Sequence, residues 1–482
     1  MVRSTLFSLL IALLFVSNAS GQTDLHKKAE SGLRFHYQLI DGQNERFTLS
    51  ERMDYYNVPG LSFAVVKNGK LEWANGYGIA DSEKGSKVTP QTLFQAGSIS
   101  KPIAALGVLK LVAQGKLDMD TTVTIYLDSS WQLPESKYLK KENVTIRRLL
   151  SHTAGVNVHG FLGYSHDLQV PSLIDVLNGE GNSPAIEVTM KPGKQWKYSG
   201  GGYQILQKVV ENVSGMAFDQ FMKNEVLVPL GMKNSTYTQP IPEDLRSDCS
   251  AAYNEKGEYV EGGWNTYPEQ AAAGLWTTPS DLARYYLEMQ AIMNGKQDGL
   301  IPKQLVEEMI TPIQNNWGLG VMLENRGDSL VFGHGGKNIG FTNNMKGFAN
   351  HGDALIVMTN GDRGFRLINE VMRSLSDTYL LYLMEVDPVK TNKTVVPDDV
   401  LDQYVGSYKF KGKNPYGNGD YVIKVSRVNQ RFMVNDPQDD KRYTMTALSN
   451  SWFINLEEGH QLRFDSKKVV LNGRLKFKKL KQ

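Results

Sequence analysis

A serine stands three residues ahead of a lysine in Phe94-Gln-Ala-Gly-Ser98-Ile-Ser-Lys101-Pro102, where a helix opens. On a helix, positions i and i+3 share a face, so the two side chains can meet. A serine hydroxyl is a weak nucleophile until a base takes its proton. A lysine becomes that base when burial or a neighbouring cation lowers its pKa toward neutrality. Ser98 and Lys101 could therefore act as a nucleophile and base without a catalytic histidine. The spacing alone carries little, because S-x-x-K is common by chance.

Two later segments add weight. Tyr198-Ser-Gly-Gly-Gly-Tyr203 follows Met190-Lys-Pro-Gly-Lys-Gln-Trp196. Its glycines imply close backbone approach or unusual dihedrals, with a helix directly after. Tyr198 can relay a proton if a cation stabilises its phenolate; otherwise it is a core aromatic. The third segment, Val331-Phe-Gly-His334-Gly-Gly336-Lys337, places glycines after a short strand, where a substrate backbone can approach. Its backbone N–H groups could form half of an oxyanion hole, with the Ser98 N–H as the other half. His334 in isolation reads as a structural histidine.

The elements that must hold these residues are legible. Leu61–Val66 reads as a strand, and Asn68-Gly69 turns it into Leu71–Asn75. Ile103–Val112 continues the helix begun near Ser98, with Pro102 in its first turn and Gly115 as its stop. Further helices are expected near Tyr203–Val213, Ala217–Leu227, Pro279–Met293, Pro302–Ile310 and Phe365–Leu383. Strands are expected at Gly318–Leu323, Leu330–Phe332, Thr342–Phe348 and Ala354–Thr359. Strands, then helices, then strands again predict a mixed sheet with an inserted helical part. Short alternating segments from Tyr421 to Lys479, with a turn at Asn472-Gly473, predict a small antiparallel barrel or sandwich.

The chain has 482 residues, 41% of them hydrophobic, enough for a large core and more than one domain. Its net charge of +2 gives no general attraction to nucleic acid, and none is expected as a partner. Arg3, the apolar run Leu6–Val16 and the small residues Ser17, Ala19, Ser20 and Gly21 read as a signal peptide over residues 1–21, cut between Ala19 and Gln22. A membrane anchor is the rival reading, although the run is short for a span. With the signal cleaved, an exported protein without a membrane anchor is expected, periplasmic or secreted. The single Cys249 rules out an internal disulfide, and Asp248 and Ser250 beside it supply no activating base. Residues 401–482 hold 16 Lys/Arg against 8 Asp/Glu, a net of +8. Such a tail can bind an anionic polymer, or its lysines can simply solubilise an outward strand face. His152, His159 and His166 recur every seven residues, which is no metal-ligand spacing, and no metal or cofactor is implied.

In their order, the three segments resemble the serine β-lactamase-related hydrolases: class C β-lactamases, penicillin-binding DD-peptidases, D-aminopeptidases and esterases. Val144-Thr-Ile-Arg-Arg-Leu-Leu-Ser-His-Thr-Ala-Gly155 and Ala271-Ala-Ala-Gly-Leu-Trp-Thr-Thr-Pro-Ser-Asp-Leu-Ala283 extend the resemblance over roughly Tyr55 to Leu383. It implies an α+β fold, an antiparallel sheet flanked by helices with a helical subdomain. The tail is similar to the lipocalin-like barrel of some members. Expected boundaries are 22–386 for the hydrolase domain, 387–399 for a linker and 400–482 for the barrel.

The resemblance also implies roles. Ser98 is the residue acylated and Lys101 takes or shares its proton. Tyr198 passes a proton to the leaving group and helps activate the deacylating water. His334 stands where many relatives carry the lysine of K-T-G. Gly336 and Lys337 belong to the substrate and oxyanion site, the N–H groups of Ser98 and Lys337 holding the oxyanion. His152 falls in a conformational loop motif and reads as structural.

Two departures stand out. Gly200 replaces the asparagine that many relatives carry two residues after the tyrosine, removing a side chain able to bond the substrate's amide. A mostly neutral His334 attracts a substrate carboxylate less than lysine does. The expected activity is cleavage of an amide or ester, in a D-amino-acid-containing peptide or a small ester. The alternatives are a penicillin- or peptide-binding sensor or scaffold with little turnover, and a β-lactamase. A homo-oligomer is compatible, and the barrel can cover the site or mediate assembly.

Overall fold

The computed structural model describes residues 22–40, 44–138, 143–384, 389–391, 393–414, 419–428, 431–437, 441–457, 459–465 and 467–480. The expected signal segment, residues 1–21, lies outside them, as do residues 387, 388 and 392 of the expected linker. The chain forms two compact units: one of residues up to Ala29 with Thr48–Met384, the other of Glu30–Phe47 with Glu385–Gln482.

The larger unit is built on β1 (Gly60–Lys67), β2 (Lys70–Asp81), β3 (Ser86–Lys87), β4 (Met322–Arg326), β5 (Ser329–Asn338), β6 (Phe341–Phe348) and β7 (Ala354–Thr359), in the spatial order β3-β2-β1-β7-β6-β5-β4. All its pairings are antiparallel. Asn68 and Gly69, both at positive φ, make the tight turn from β1 to β2. β1 is buried nearly throughout, so both its faces need cover. Ala64 and Val66 enter the main core with Tyr285 and Tyr286, whereas Phe63 on the other face meets Trp73 at 4.6 Å.

Five longer helices matter here: α1 (Leu49–Tyr56), α2 (Ser100–Ala113), α3 (Gly200–Ser214), α4 (Pro279–Met293) and α5 (Gly364–Tyr379). α2 is apolar on nearly every side, as a helix at the centre of a core must be. α4 packs on β1 and β7, and α5 on β7 and β6. A buried cluster ties α1 to α5: Arg52 donates Nε to Glu370 Oε2 and Nη2 to Oε1, each at 2.7 Å, and Tyr56 donates to Oε1 at 2.7 Å. Such bidentate, charge-assisted bonding is strong where water is excluded.

The expected strand Gly318–Leu323 is corrected to Met322–Arg326. Gly320 has φ +84, and Gly318, Leu319 and Gly320 donate their N–H groups to Val321, Met309 and Leu150. A buried loop satisfied by scattered carbonyls has replaced a ladder. Leu330–Phe332 is the start of a much longer strand, β5, whose far half carries the third motif. α5 stops at Tyr379 rather than Leu383, because Leu380 turns left-handed.

In the smaller unit, Tyr37–Leu39 pairs in parallel with Val389–Thr391. A helix at Asp398–Tyr404 and a strand at Gly406–Phe410 precede the alternating segments read from sequence. Nine described strands form one antiparallel sheet whose two edge strands, Lys441–Thr444 and Thr446–Ala447, are separated only by Met445. The sheet therefore curls into a nearly closed barrel. Its interior is filled by Tyr408, Phe432, Phe453, Phe464 and Phe477, while Lys424, Lys476 and Lys478 alternate outward to solvent. No helix among the described residues is long and apolar enough to cross a membrane.

Candidate active site

Ser98 lies in a single turn, Gly97–Ile99, that runs directly into α2. Gly97 adopts φ +55, and a Cβ there would sit 2.6 Å from the Lys337 nitrogen. Only glycine tolerates both the dihedral and the approach. Gly336 is equally constrained, since a Cβ on it would overlap the Ala96 carbonyl. The close approach at Gly336 is thus to the chain itself, whereas Gly335 is exposed and a Cβ on it would make only an ordinary contact with Asn343 O. Side-chain staples hold β5 and β6 to this turn. Asn338 Nδ2 donates to Gln95 Oε1 at 2.8 Å and to Ala273 O at 3.1 Å; Asn343 Nδ2 donates to Gln95 O at 2.9 Å. Together they bring the Ser98 turn and the Lys337 amide side by side, the arrangement an oxyanion hole needs.

Lys101 is 1% exposed, and its Nζ lies 3.0 Å from Ser98 Oγ and 2.8 Å from Ala272 O. Burial lowers its pKa from 10.5 to about 7. With no carboxylate among these contacts, a substantial fraction is the free amine at neutral pH. Its lone pair can then accept the Ser98 proton while an N–H remains fixed on the Ala272 carbonyl.

Tyr198 leans over the pair, its ring centroid 5.0 Å from Lys101 Nζ. Burial raises its pKa, opposed by a hydrogen bond with Ser98. The phenol is therefore protonated at rest and is suited to donate, and the group able to accept a proton near neutrality is the Lys101 amine rather than a Tyr198 phenolate. His334 is 4% exposed, and burial, reinforced by Lys101, takes its pKa down to about 3. Its Nδ1 lies 2.5 Å from Gly335 O, so Nδ1 carries the hydrogen and Nε2 is an acceptor, 3.5 Å from the Tyr198 hydroxyl. Lys337 is exposed and pairs with Asp362 at 3.7 Å. No fixed, buried cation other than Lys101 stands at this end of the site among the described residues.

The three glycines after Ser199 take no positive φ. They form the first turn of α3, and two of them sit in close approach: Cβ atoms on Gly200 and Gly201 would meet Phe161 at 2.9 Å and Asn157 O at 2.9 Å, whereas one on Gly202 would make only ordinary contacts. Of the two readings of these glycines, close approach is the one observed.

His152, buried at φ +59, accepts the Ser199 N–H on Nδ1 at 3.1 Å and lays its ring 4.3 Å from that of Tyr198. Burial holds it neutral, so it orients the tyrosine segment. His159 also lies against Tyr198, ring centroids 4.8 Å apart, while His166 lies instead against Gly262. Trp317, 5.7 Å from Tyr198 and 5.4 Å from His334, completes the aromatic lining; nothing in its sequence context singled it out. Cys249 is buried with its thiol pushed up to about 12, far from a reactive thiolate.

Glu269 was also not visible in the sequence as unusual. It is fully buried, neither carboxyl oxygen has a hydrogen-bond partner among the described residues, and burial raises its pKa to about 8. A carboxyl raised above its unfolded value near 4.5 contributes stability fully below that pH and loses it as pH rises through about 8. Glu269→Gln is expected to match the native protein near pH 5 and to exceed it at pH 8.5 by on the order of a few kcal/mol. Thermal unfolding of both proteins across that range checks this; parallel curves would rule it out.

A family model described as Beta-lactamase matches residues 47–373. Penicillin-binding protein 4* of Bacillus subtilis (strain 168) is 26% identical over 374 residues, 71% of this chain and 78% of that protein. Protein flp of Staphylococcus aureus (strain MW2) is 28% identical over 249 residues, 50% of this chain; the match spans under half of that protein, 46%. Two solved structures share the fold. The octameric penicillin-binding protein homologue from Pyrococcus abyssi has a TM-score of 0.60 at 22% identity, covering 89% of this chain and 98% of that one. SurE with D-Leu has a TM-score of 0.54 at 23% identity, covering 90% and 97%.

Proposed function

The chain belongs to the Beta-lactamase family, and from that premise we propose that it is an exported hydrolase that cleaves a small ester or a D-amino-acid-containing peptide through an acyl-enzyme on Ser98. Family membership carries the serine acyl-enzyme chemistry. The observation that carries the assignment to these residues is the buried amine of Lys101, 3.0 Å from Ser98 Oγ with its pKa near 7. Lys101 takes the Ser98 proton as Oγ attacks the carbonyl. The Ser98 and Lys337 amides stabilise the oxyanion. Tyr198 gives its proton to the leaving group and recovers one through Lys101. In the second half, water attacks the acyl-Ser98 carbonyl with Lys101 and Tyr198 as base, releasing the acid and free Ser98.

The neutral His334 and the exposed, acid-paired Lys337 offer little to a substrate carboxylate. This supports an ester or peptide substrate over a β-lactam and sets the β-lactamase reading second. A D-residue stays among the substrates because SurE, a protein of like fold, has been solved with D-Leu. Homo-oligomerisation is part of the proposal by the same kind of likeness, to the octameric homologue.

The test is intact mass after incubation with benzylpenicillin, run beside hydrolysis of p-nitrophenyl esters and D-alanyl p-nitroanilide, with Ser98→Ala as control. Ester or anilide turnover lost in the control is expected, with at most a slow adduct from the drug. A lasting adduct without turnover of anything would replace this reading with the sensor. Rapid drug hydrolysis would make the protein a β-lactamase and sink the argument from His334.

A further inference from the structure

The corner of the site beside Gly200 is not empty. The segment 157–162 folds across it and is pinned from both ends. Asn157 exchanges bonds with the facing segment: its N–H reaches Glu187 O at 3.0 Å, its Nδ2 reaches Ala185 O at 2.7 Å, and its Oδ1 accepts the Glu187 N–H at 2.9 Å. At the other end, Asn265 Nδ2 and the Tyr267 hydroxyl both donate to Leu162 O at 3.0 Å. Between them Val158 sits at φ +54, where a β-branched residue is strained.

That conformation has a visible consequence. It aims successive carbonyls at the start of α3: Gly201 donates its N–H to Val158 O at 3.1 Å and Gly200 to His159 O at 3.0 Å, while Ser199 Oγ donates to Asn157 O at 2.7 Å. The amides of a helix N-terminus, which elsewhere would receive a carboxylate or a carbonyl, are consumed by the chain itself. The Phe161 ring fills the space a side chain at position 200 would need, 2.9 Å from a Cβ built there. A side chain at 200 would have to push the Phe161 ring aside and crowd His159 O, 3.1 Å from a Cβ built there. What the corner offers is the Phe161 ring, the 64% exposed Leu162, and the faces of His159 and Tyr198. Burial and the Lys101 and Lys197 charges hold the His159 pKa below its ordinary value, so that ring too is uncharged at neutral pH.

We propose that segment 157–162 is a preformed apolar wall on the acyl side of the site, with Phe161 as its specificity-determining residue, and that the substrate class is an ester of an unbranched apolar carboxylic acid. This rests on Ser98 as the nucleophile. Ser98 Oγ bonds to the ester carbonyl carbon, the alkoxide leaves with a proton from Tyr198, and water then releases the free acid. An N-acyl amide substrate would bring its own N–H and C=O to a corner whose backbone polar groups are already bonded, and would gain no partner from the protein there. An alkyl chain loses nothing there and gains burial.

The experiment is kcat/KM for p-nitrophenyl acetate, butyrate and hexanoate, with wild type, Phe161→Ala and Phe161→His; the histidine keeps a flat ring over Gly200 but gives it a polar edge. Burying a methylene is worth about fourfold, so the two methylenes from acetate to butyrate should gain about fifteenfold in the wild type. Both variants should flatten the series to within about twofold. Gly200→Ala should lower all three rates, and Phe161→Ala should recover part of that loss in the double variant, since the clash is shared. A flat wild-type series, or an unchanged slope in both variants, overturns the wall while leaving Ser98-dependent turnover in place. If no ester is cleaved but benzylpenicillin still labels Ser98, the substrate class is wrong and the nucleophile stands. If neither occurs, both readings fall together.

Discussion

Ser98→Ala is expected to lower kcat/KM on every cleaved substrate by at least about 10⁴-fold and to abolish any covalent adduct. The oxyanion donors, the apolar wall and Lys101 all persist in this variant, but there is no oxygen to acylate. Water in its place would need the same orientation without a covalent tether. Ser98 is half-buried and its hydroxyl bonds Lys101, so the variant should unfold within a few degrees of the parent. Steady-state assays and intact mass read the outcome. Residual activity within tenfold of the parent would mean that another group carries the chemistry.

Lys101→Met should cost about 10³-fold, the usual worth of a positioned base. Lys101→Arg should cost as much, because guanidinium does not give up its proton near neutrality. In the native enzyme, kcat/KM should rise with pH to half its maximum near 7, as the Lys101 ammonium becomes the amine. The same shift has a consequence for stability. The folded pKa of about 7 lies below the unfolded value near 10.5, so between those pH values the unfolded chain binds the extra proton. Stability gained from deprotonation therefore grows as pH rises through that window, and the penalty of the buried charge is complete below about 7. Lys101→Met removes that penalty. At pH 6 it should be more stable than the parent by on the order of a few kcal/mol, less the cost of the orphaned Ala272 carbonyl. The advantage should fade toward pH 10.5. Urea unfolding at pH 6 and pH 9.5 measures it, and a variant no more stable at the lower pH would show that the ammonium is better solvated than its burial implies.

Local chemistry was legible where local rules decide. The turn at Asn68-Gly69, the Pro102 start of α2 and the alternating strands of the barrel follow from dihedral preference and from apolar period, which neighbours in sequence carry. Gly318–Leu323 misled for the same reason. Its alternation of apolar residues and glycines fits a strand, but Leu319 and Val321 are buried in a loop whose N–H groups bond to Met309 O, only one element earlier, and to Leu150 O, from a far distant part of the chain.

The sequence by itself determined which groups are candidates to react. Ser98 and Lys101 are three residues apart on one helical turn, and Tyr198 and His334 stand in motifs whose glycines demand close packing. Composition and patterning determined that an α+β unit precedes an all-β one. Tertiary structure alone decided the protonation states and the shape of the cleft. The Lys101 pKa is lowered because residues from distant segments exclude water from it, and His334 is neutral for the same reason. Gly200 looked like a missing side chain; folding brings Phe161 and a strained Val158 across it, so the space is already occupied by the chain itself. Desolvation and steric exclusion are sums over neighbours that meet only after folding, so no window of sequence holds them.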